Sequence, residues 1–271
     1  MQQNYEGGFR IERMKSHIPW DMAEVHSHNY HEIYYLLSGK RRYFVGHSIY
    51  DVEEGDLVII PKNTLHRTNR RGSESYERYV VYFSDEFLEP LGSTLGEEEK
   101  EQFLALGSIQ IPKQYRPEIR KILETMEHES GRNDAYVSLS SLCALGSLIA
   151  IALRYGTAVK SGVSDDGGKI LEVTRYICEN FHQEITLSDV AKRAYMEETY
   201  FSKQFKKLTG FGFSEYVSQV RMQQATELLR NSKLSVSKIA ELCGYSSGNY
   251  FGDAFRKQKG MSPTEYRKKY R

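Results

Sequence analysis

The chain has 271 residues, of which 39% are hydrophobic and 27% are charged. This length predicts about two domains, the composition excludes a disordered chain, and no run approaches the roughly 18–20 apolar residues of a membrane span. Cys143, Cys178 and Cys243 lie too far apart for all to pair, and the N-terminus has no basic segment before an apolar run. These features exclude a disulfide scaffold and predict a reduced, cytoplasmic protein.

The overall charge of +1 hides a strong asymmetry along the chain. Residues 169–271 contain 18 Lys/Arg and 11 Asp/Glu, whereas residues 1–168 contain 19 and 25. The net charges are therefore +7 and −6. A basic C-terminal part predicts a module that faces a polyanion.

Residues up to about 90 are predicted to form short strands separated by turn signals. The predicted strands are 33–37, 42–45, 48–52, 57–60 and Tyr76–Phe83. Gly46-His47 is a plausible two-residue hairpin turn between the second and the third. This pattern predicts an antiparallel sandwich or barrel.

Four residues of the β-region carry metal-binding side chains: His26, His28, Glu32 and His66. Strand alternation directs His26 and His28 to the same face, and imidazole with one carboxylate suits Fe, Mn, Ni or Zn. The pattern over residues 20–70 resembles the two cupin motifs. That resemblance implies a small β-barrel in which the four side chains hold one divalent metal. Structural histidines, at the surface or satisfied in a core, are the alternative.

Three positions depart from the cupin motifs. Trp20 and Asn63 stand where glycine is usual, and Arg70 stands where asparagine is expected. The resemblance therefore supports the barrel more strongly than the metal.

The segment after the strands changes to helical spacing. Residues 111–156 are predicted to form a helical hairpin, with Pro117 in the first turn of its first helix. Residues 157–168 are rich in Gly, Ser and Asp and are predicted to be a linker.

The last hundred residues contain an internal repeat. Thr186 and Ser235 open the two halves as helix caps at an offset of 49, and Tyr200-Phe201-x-x-x-Phe205 matches Tyr250-Phe251-x-x-x-Phe255 at an offset of 50. Each half reads as a short helix, a turn and a second helix. The paired phenylalanines face a core, and a polar stripe remains on each second helix, as a recognition helix requires.

Residues 170–271 resemble the DNA-binding domain of AraC/XylS-type bacterial transcription regulators. The matching motifs include Leu187-x-x-Val190-Ala191, Ile239-Ala240-x-x-x-Gly244-Tyr245 and Gly260-Met261-Ser262-Pro263. The resemblance implies seven helices, two helix-turn-helix units and a joining helix from about Phe213 to Asn231. It places DNA contacts at Thr199, Ser202, Lys203, Lys206, Asn249, Gly252, Asp253 and Arg256. Asp253 departs from the usual basic or neutral residue, which leaves the second unit's sequence preference open.

The same family implies a different use of the β-barrel, because many of its N-terminal domains bind a small effector, often a sugar, without metal. Aromatic walls with a few polar groups suit such a ligand. The predicted effector-binding residues are His26, His28, Glu32, Tyr34, Tyr43 and His66. The family also implies a homodimer formed by the helical hairpin, and favours an activator that contacts RNA polymerase.

The sequence thus predicts an α+β protein of two domains. We expect a cupin-like jelly-roll barrel at 1–110, a helical hairpin with a dimerisation role at 111–156, a linker at 157–168 and a tandem helix-turn-helix domain at 169–271. The expected function is effector-responsive transcription regulation on double-stranded DNA, with no enzyme activity and no required cofactor. The alternatives are a metal-dependent cupin-type enzyme, an isomerase or dioxygenase, and a regulator with a metal in its barrel.

Overall fold

A computed structural model describes residues 8–16, 27–71, 75–159 and 165–270. The chain divides into two compact units, Met1–Gly162 and Val163–Arg271. His26 and Trp20 lie outside the described residues.

The first unit contains nine strands in the described part of the chain: β1 (Phe9–Ser16), β2 (His31–Ser38), β3 (Lys40–Val45), β4 (Ser48–Glu53), β5 (Asp56–Ile60), β6 (His66–Arg70), β7 (Tyr76–Phe83), β8 (Ser108–Gln110) and β9 (Thr157–Ala158). One sheet has the order β1-β7-β2-β5-β8-β9, and the other has the order β4-β3-β6. All pairings are antiparallel. The prediction of an antiparallel β-domain is confirmed.

Alternation along the strands produces two separate cores. On β2, Ile33 and Tyr35 face the helices that cover the larger sheet, whereas Tyr34 and Leu36 face the smaller sheet. We call the space between the two sheets the barrel interior. Its apolar lining is Tyr34, Leu36, Tyr43, Val45, Val52, Val58, Ile60, Tyr76 and Val80.

Helices cover the outer face of the larger sheet. They are α1 (Asp85–Leu88), α2 (Gly92–Leu95), α3 (Glu97–Ala105), α4 (Arg116–Ser130) and α5 (Val137–Tyr155). The predicted hairpin corresponds to α4 and α5, and Pro117 lies in the first turn of α4. The helices between 85 and 105 were not predicted, because they are short and α3 opens with three glutamates instead of an apolar period.

Helix α5 is apolar over most of its length, with a mean hydropathy of 1.8. By length and composition alone it meets the requirement for crossing a membrane, contrary to the expectation from the sequence. Its inner side chains Leu145, Leu148 and Ile149 are fully buried in the core beneath the larger sheet. This packing buries 33% of the helix, and the rest of its apolar surface lies outside the core.

The predicted linker at 157–168 is wrong at both of its ends. Thr157 and Ala158 pair with β8, and helix α6 (Asp165–Asn180) already includes residues 165–168. Two acidic residues in the first turn of α6 favour a helix N-terminus, and Lys169 forms an ion pair with Asp165 at 2.9 Å. These local charges offset the low helix propensity of Gly167 and Gly168.

The described part of the second unit has seven helices, the number that the family resemblance implied. After α6 come α7 (Leu187–Arg193), α8 (Glu198–Thr209), α9 (Phe213–Asn231), α10 (Val236–Leu242), α11 (Gly248–Lys259) and α12 (Pro263–Tyr270). Thr186 and Asp189 form the expected capping box on α7, and Ser235 caps α10. Helices α7 and α8 form one helix-turn-helix, and α10 and α11 form the other.

The turn of each helix-turn-helix contains a residue in the left-handed region. Gly244 has φ +74°, and a Cβ there would lie 2.8 Å from the carbonyl oxygen of Phe181. The equivalent residue of the first unit is Tyr195, which adopts φ +55° with an exposed side chain. The first turn therefore accepts a side chain at a position where the second turn is packed too closely for one.

Candidate functional site

Three of the four predicted metal and effector residues come together at one end of the barrel interior. Glu32 lies on β2, His66 on β6 and His28 just before β2. The Nε2 atoms of His28 and His66 lie 3.1 and 3.6 Å from Glu32 Oε2. One ligand atom from each residue falls within 4.8 Å of the others, which is close enough to share a metal ion.

Backbone carbonyl groups determine which nitrogen of each ring carries hydrogen. His28 Nδ1 lies 2.9 Å from the Tyr30 carbonyl oxygen, and His66 Nδ1 lies 2.8 Å from that of Thr64. A carbonyl oxygen only accepts, so each Nδ1 must donate. In a neutral ring Nε2 is then an acceptor, and both Nε2 atoms face a carboxylate oxygen, which is also an acceptor. A cation between them, or a second proton on the rings, resolves this conflict.

The carboxyl group of Glu32 is held in its ionised form. Burial raises its pKa, but the His28 and His66 rings, when a second proton lets their Nε2 atoms donate, outweigh burial and shift the pKa well below its ordinary value. The side chain is 6% exposed. Glu32 therefore places one negative charge at this end of the barrel interior.

Tyrosines form the walls beside this cluster. Tyr30 stacks on His28 with ring centroids 3.8 Å apart, and Tyr82 contacts Tyr30 edge-on at 5.3 Å. The two predicted pocket tyrosines, Tyr34 and Tyr43, contact each other at 4.8 Å deeper in the interior. The site combines aromatic walls with a few polar groups, as small-molecule sites do.

The structure explains one of the three departures from the cupin motifs. Asn63 adopts φ +61°, a left-handed conformation that asparagine tolerates better than most residues. Its N–H donates to the His28 carbonyl oxygen at 2.6 Å. Asn63 therefore adopts the left-handed backbone conformation for which glycine is usual at this position. The side chain of Arg70 lies outside the described part.

Two guanidinium groups inside the barrel were not predicted. Arg41 on β3 lies over the ring of Tyr76 at 4.3 Å and donates to Thr68 Oγ1. Arg78 on β7 lies 5.7 Å from the ring centroid of Tyr34. Alternation along β7 puts Arg78 on the same face as Tyr76 and Tyr82, whereas a charged residue in a strand usually marks the solvent side.

The eight predicted DNA contacts form two matched stripes. On α8, Thr199, Lys203 and Lys206 are exposed and Ser202 is half-buried. On α11, Asn249, Asp253 and Arg256 are exposed and Gly252 is half-buried. The paired phenylalanines of both helices are 0% exposed. Each stripe follows i, i+3, i+4, i+7 spacing, which is one helix face.

The two stripes differ in charge. The α8 stripe carries Lys203 and Lys206, whereas the α11 stripe carries Asp253 and Arg256. Asp253 forms no ion pair with Arg256 in the described structure. The first helix therefore presents the more positive face to a nucleic acid.

Gly252 lies in the middle of α11, where glycine weakens a helix by roughly 0.5–1 kcal/mol relative to alanine. A Cβ at this position would meet nothing within 4 Å. Packing inside the protein therefore does not require glycine here. A DNA contact on the exposed side of the stripe is the reason for glycine that the family resemblance predicts.

These two sites define a class of protein: a helix-turn-helix regulator with a ligand-binding β-domain. The family model described as "AraC-like ligand binding domain" matches residues 9–149, more than half of the chain, and the model described as "Helix-turn-helix domain" matches residues 190–269. The chain belongs to the AraC family of transcription regulators. Double-stranded DNA is the partner of its helix-turn-helix units.

Similar proteins match this chain over nearly its whole length or over little more than a third of it. The chain is 24% identical to "HTH-type transcriptional activator RhaR" of Mannheimia succiniciproducens over 266 residues, which is 98% of this chain and 93% of that protein. It is 38% identical to "Regulatory protein PocR" of Salmonella typhimurium over 106 residues, 39% of this chain and 35% of that one. The DNA-binding domain of AdpA, solved with a target DNA, matches 38% of this chain and 93% of its own at 35% identity and a TM-score of 0.37.

We expect Gly252→Ala to stabilise the protein and weaken its DNA binding. The added methyl should raise the free energy of unfolding by about 0.5–1 kcal/mol, but it should hold α11 away from the base edges and lower the affinity for selected DNA roughly threefold to tenfold. Urea denaturation and DNA titration of the full chain measure the two effects.

Gly168→Ala is the matched control, because Gly168 also lies in a helix with nothing within 4 Å of its would-be Cβ. It should give the stability gain without the affinity loss. Equal affinities for the two variants would show that Gly252 does not face DNA.

Proposed function

We propose that this protein activates transcription when a small effector occupies its β-domain. The two matched stripes on α8 and α11 carry the DNA-binding half of this proposal, because repeated units that keep one exposed polar face suit two successive contacts with one duplex. A DNA-binding activator of this kind works in the cytoplasm and contacts RNA polymerase. The name "transcriptional activator" of the RhaR relatives supports the direction of regulation.

Each stripe has side chains suited to base edges. Lys203 bonds guanine, Asn249 bonds adenine, and Asp253 accepts from the amino group of cytosine. Thr199 and Ser202 complete the readout in the first unit, and Lys206 and Arg256 contact phosphates. An unpaired Asp253 is costly near phosphates, so its cytosine contact makes it a selective residue.

Lys203→Ala and Asn249→Ala should reduce sequence discrimination. Each loses a base contact worth about 1–3 kcal/mol on the preferred site, but much less on random DNA. The measurement is a titration of each variant with DNA selected by the wild-type chain and with random duplex, over a range of salt concentrations. Binding should weaken linearly in a plot of log affinity against log salt concentration.

Lys113→Ala, which removes an exposed lysine just before α4 in the other unit, is the control for loss of one positive charge. Equal losses on selected and random DNA would contradict base reading. Salt-independent binding would contradict a DNA-binding role altogether.

The effector we propose is a sugar or a related polyhydroxylated molecule. His28, Glu32 and His66 offer hydrogen-bonding atoms at one end of the barrel interior, and Tyr34 and Tyr43 offer aromatic walls. His26 belongs to the same set from the sequence. The effector changes DNA binding or activation by binding one conformation of the protein better than the other.

We further propose that α5 joins two copies of the chain. Leu139, Cys143 and Ser147 are spaced by one helical turn and are exposed, and Leu139 is 60% accessible. A groove lined by Ile122, Cys143, Ala144 and five polar side chains lies between α4 and α5 on this face. Exposed apolar side chains beside a polar rim are typical of a protein–protein interface.

Leu139→Glu should convert the dimer to a monomer without unfolding it. The exposed leucine contributes little to the core, but a carboxylate at its position would be desolvated in the interface. Sedimentation equilibrium of the full chain measures the change. Leu234→Glu, at another exposed leucine, should remain dimeric. A monomeric wild-type chain, or a dimeric Leu139→Glu chain, would contradict this interface.

A divalent metal in the barrel is a second candidate, favoured by the geometry of the histidine rings. Their Nδ1 atoms donate to backbone carbonyl groups, as in many metal-ligating histidines, and both Nε2 atoms face Glu32. The residues fit Zn, Ni, Mn or Fe held by His28, Glu32 and His66, with His26 as the fourth predicted ligand. The metal would supply a Lewis acid to a bound ligand.

Glu32→Gln tests the metal with little disturbance of the protein, because an amide NH₂ can donate to the Nε2 atoms. Wild-type protein stripped with chelator should gain about 2.7 kcal/mol of stability from metal at 100 times its dissociation constant. Glu32→Gln should lose most of that gain and His128→Ala, an exposed histidine, should keep it. Thermal denaturation and elemental analysis measure both.

A stripped wild-type chain that does not respond to any of the four metals would contradict the metal site. Stoichiometric bound metal together with turnover of a small substrate would instead support the alternative that the first unit is an enzyme, an isomerase or a dioxygenase.

A further inference from the structure

The guanidinium group of Arg78 lies in the barrel interior without a carboxylate partner among the described residues. Its Nη1 atom is buried and has no hydrogen-bond partner there, and its Nη2 contacts the sulfur of Met14 at 3.5 Å. A thioether sulfur is a weak acceptor. A buried cation with such weak compensation is costly to the folded protein.

Tyr34 presents a second unsatisfied group beside Arg78. Its side chain is 0% exposed, and its hydroxyl is buried with no hydrogen-bond partner in the described structure. Arg78 Cζ lies 5.7 Å from the centre of its ring. Buried polar groups are nearly always satisfied, so two neighbouring exceptions indicate a missing partner.

The charges of the interior indicate the sign of that partner. Glu32 directs its carboxylate to His28 and His66, at the other end. Glu12 on the neighbouring strand β1 pairs with Arg10. Arg41 adds another positive charge near Tyr76. Arg78 and Arg41 make their part of the interior positive, although the more distant Glu32 still acts electrostatically on Arg78.

We propose that the effector is a small organic acid whose carboxylate pairs with Arg78 and accepts a hydrogen bond from Tyr34. Arginine binds carboxylates with two parallel hydrogen bonds, and such a bond would satisfy Nη1. The proposal refines the proposed effector-binding function and rests on it.

The register of the sheet gives the spacing between the two polar ends of the barrel interior. Glu32 pairs with Tyr82, and Leu36 pairs with Arg78, so the two polar ends are four residues apart on β2 and β7. At about 3.3 Å per residue this is about 13 Å of backbone, and the side chains reach inward from both ends. A ligand that joins the two ends needs a carboxylate for Arg78 and hydroxyls for His28, Glu32 and His66, and a six-carbon sugar acid carries both.

The first test needs no ligand. Tyr34→Phe removes an unsatisfied hydroxyl and should raise the melting temperature of the unliganded full chain. Tyr79→Phe is the matched control on the outer face of β7, where the tyrosine hydroxyl donates to Glu127 Oε2 at 2.5 Å. It should lower the melting temperature. A lower melting temperature for Tyr34→Phe would show that its hydroxyl already has a partner, and would overturn the proposal.

The second test compares acids with their neutral parents in chelating buffer: glucuronate with glucose, and galacturonate with galactose. At least one acid should stabilise the wild-type chain and bind roughly tenfold more tightly than its parent sugar, a difference of about 1.4 kcal/mol. Arg78→Met should abolish the shift, Tyr34→Phe should reduce it, and Tyr79→Phe should leave it unchanged.

The outcomes separate the two levels of the proposal. Equal shifts with acid and parent sugar would overturn the carboxylate and keep the effector pocket. A shift that survives in Arg78→Met would also overturn the assignment to Arg78. If neither acid nor a high concentration of acetate shifts the melting temperature, the proposed pairing of a carboxylate with Arg78 is overturned as well. DNA binding is tested separately and would not be affected by that result.

Discussion

The register between β2 and β7 determines where every polar group of the first unit lies. It sets Glu32 opposite Tyr82 and Leu36 opposite Arg78, with all four side chains on the face of the barrel interior. A slip of β2 by one residue would turn Glu32 into the core beneath the larger sheet and expose Ile33 to the interior, while Arg78 on β7 kept its place. The hydrophobic pattern that packs the core beneath the larger sheet therefore also determines which polar side chains face the barrel interior.

Strands and helices with a clear period could be predicted from the sequence; features that depend on tertiary partners could not. Tyr76–Phe83 coincides with a strand predicted from local alternation, and Phe213–Asn231 coincides with the joining helix that the family resemblance implied. Residues 165–168 were predicted to be coil because two glycines dominate their composition, but acidic residues at a helix N-terminus outweigh them. Arg78 was missed because a charged residue on an alternating strand normally indicates the solvent face.

The histidine cluster shows how much of a site the spacing of residues can predict. His28, Glu32 and His66 converge as the resemblance implied. The hydrogen positions on the rings depend on the carbonyl groups of Tyr30 and Thr64, whose directions no motif records. The ligand-atom types could therefore be predicted from the sequence. The conflict between acceptor atoms could be recognised only in the folded structure, and the choice between a metal and a hydrogen-bonded effector depends on it.

The one-residue difference between the repeats lies in the turns, and it limits how their helices can be exchanged. Helix α8 begins after the cap Glu197, whereas α11 begins after the cap Ser247, one residue further from its turn glycine. A chimera that exchanges only residues 198–209 and 248–259 would give each recognition helix the other's cap and turn length. Engineering new operator preferences into this scaffold therefore requires grafts that begin at Tyr195 and Gly244, so that each helix is moved together with the turn that aims it.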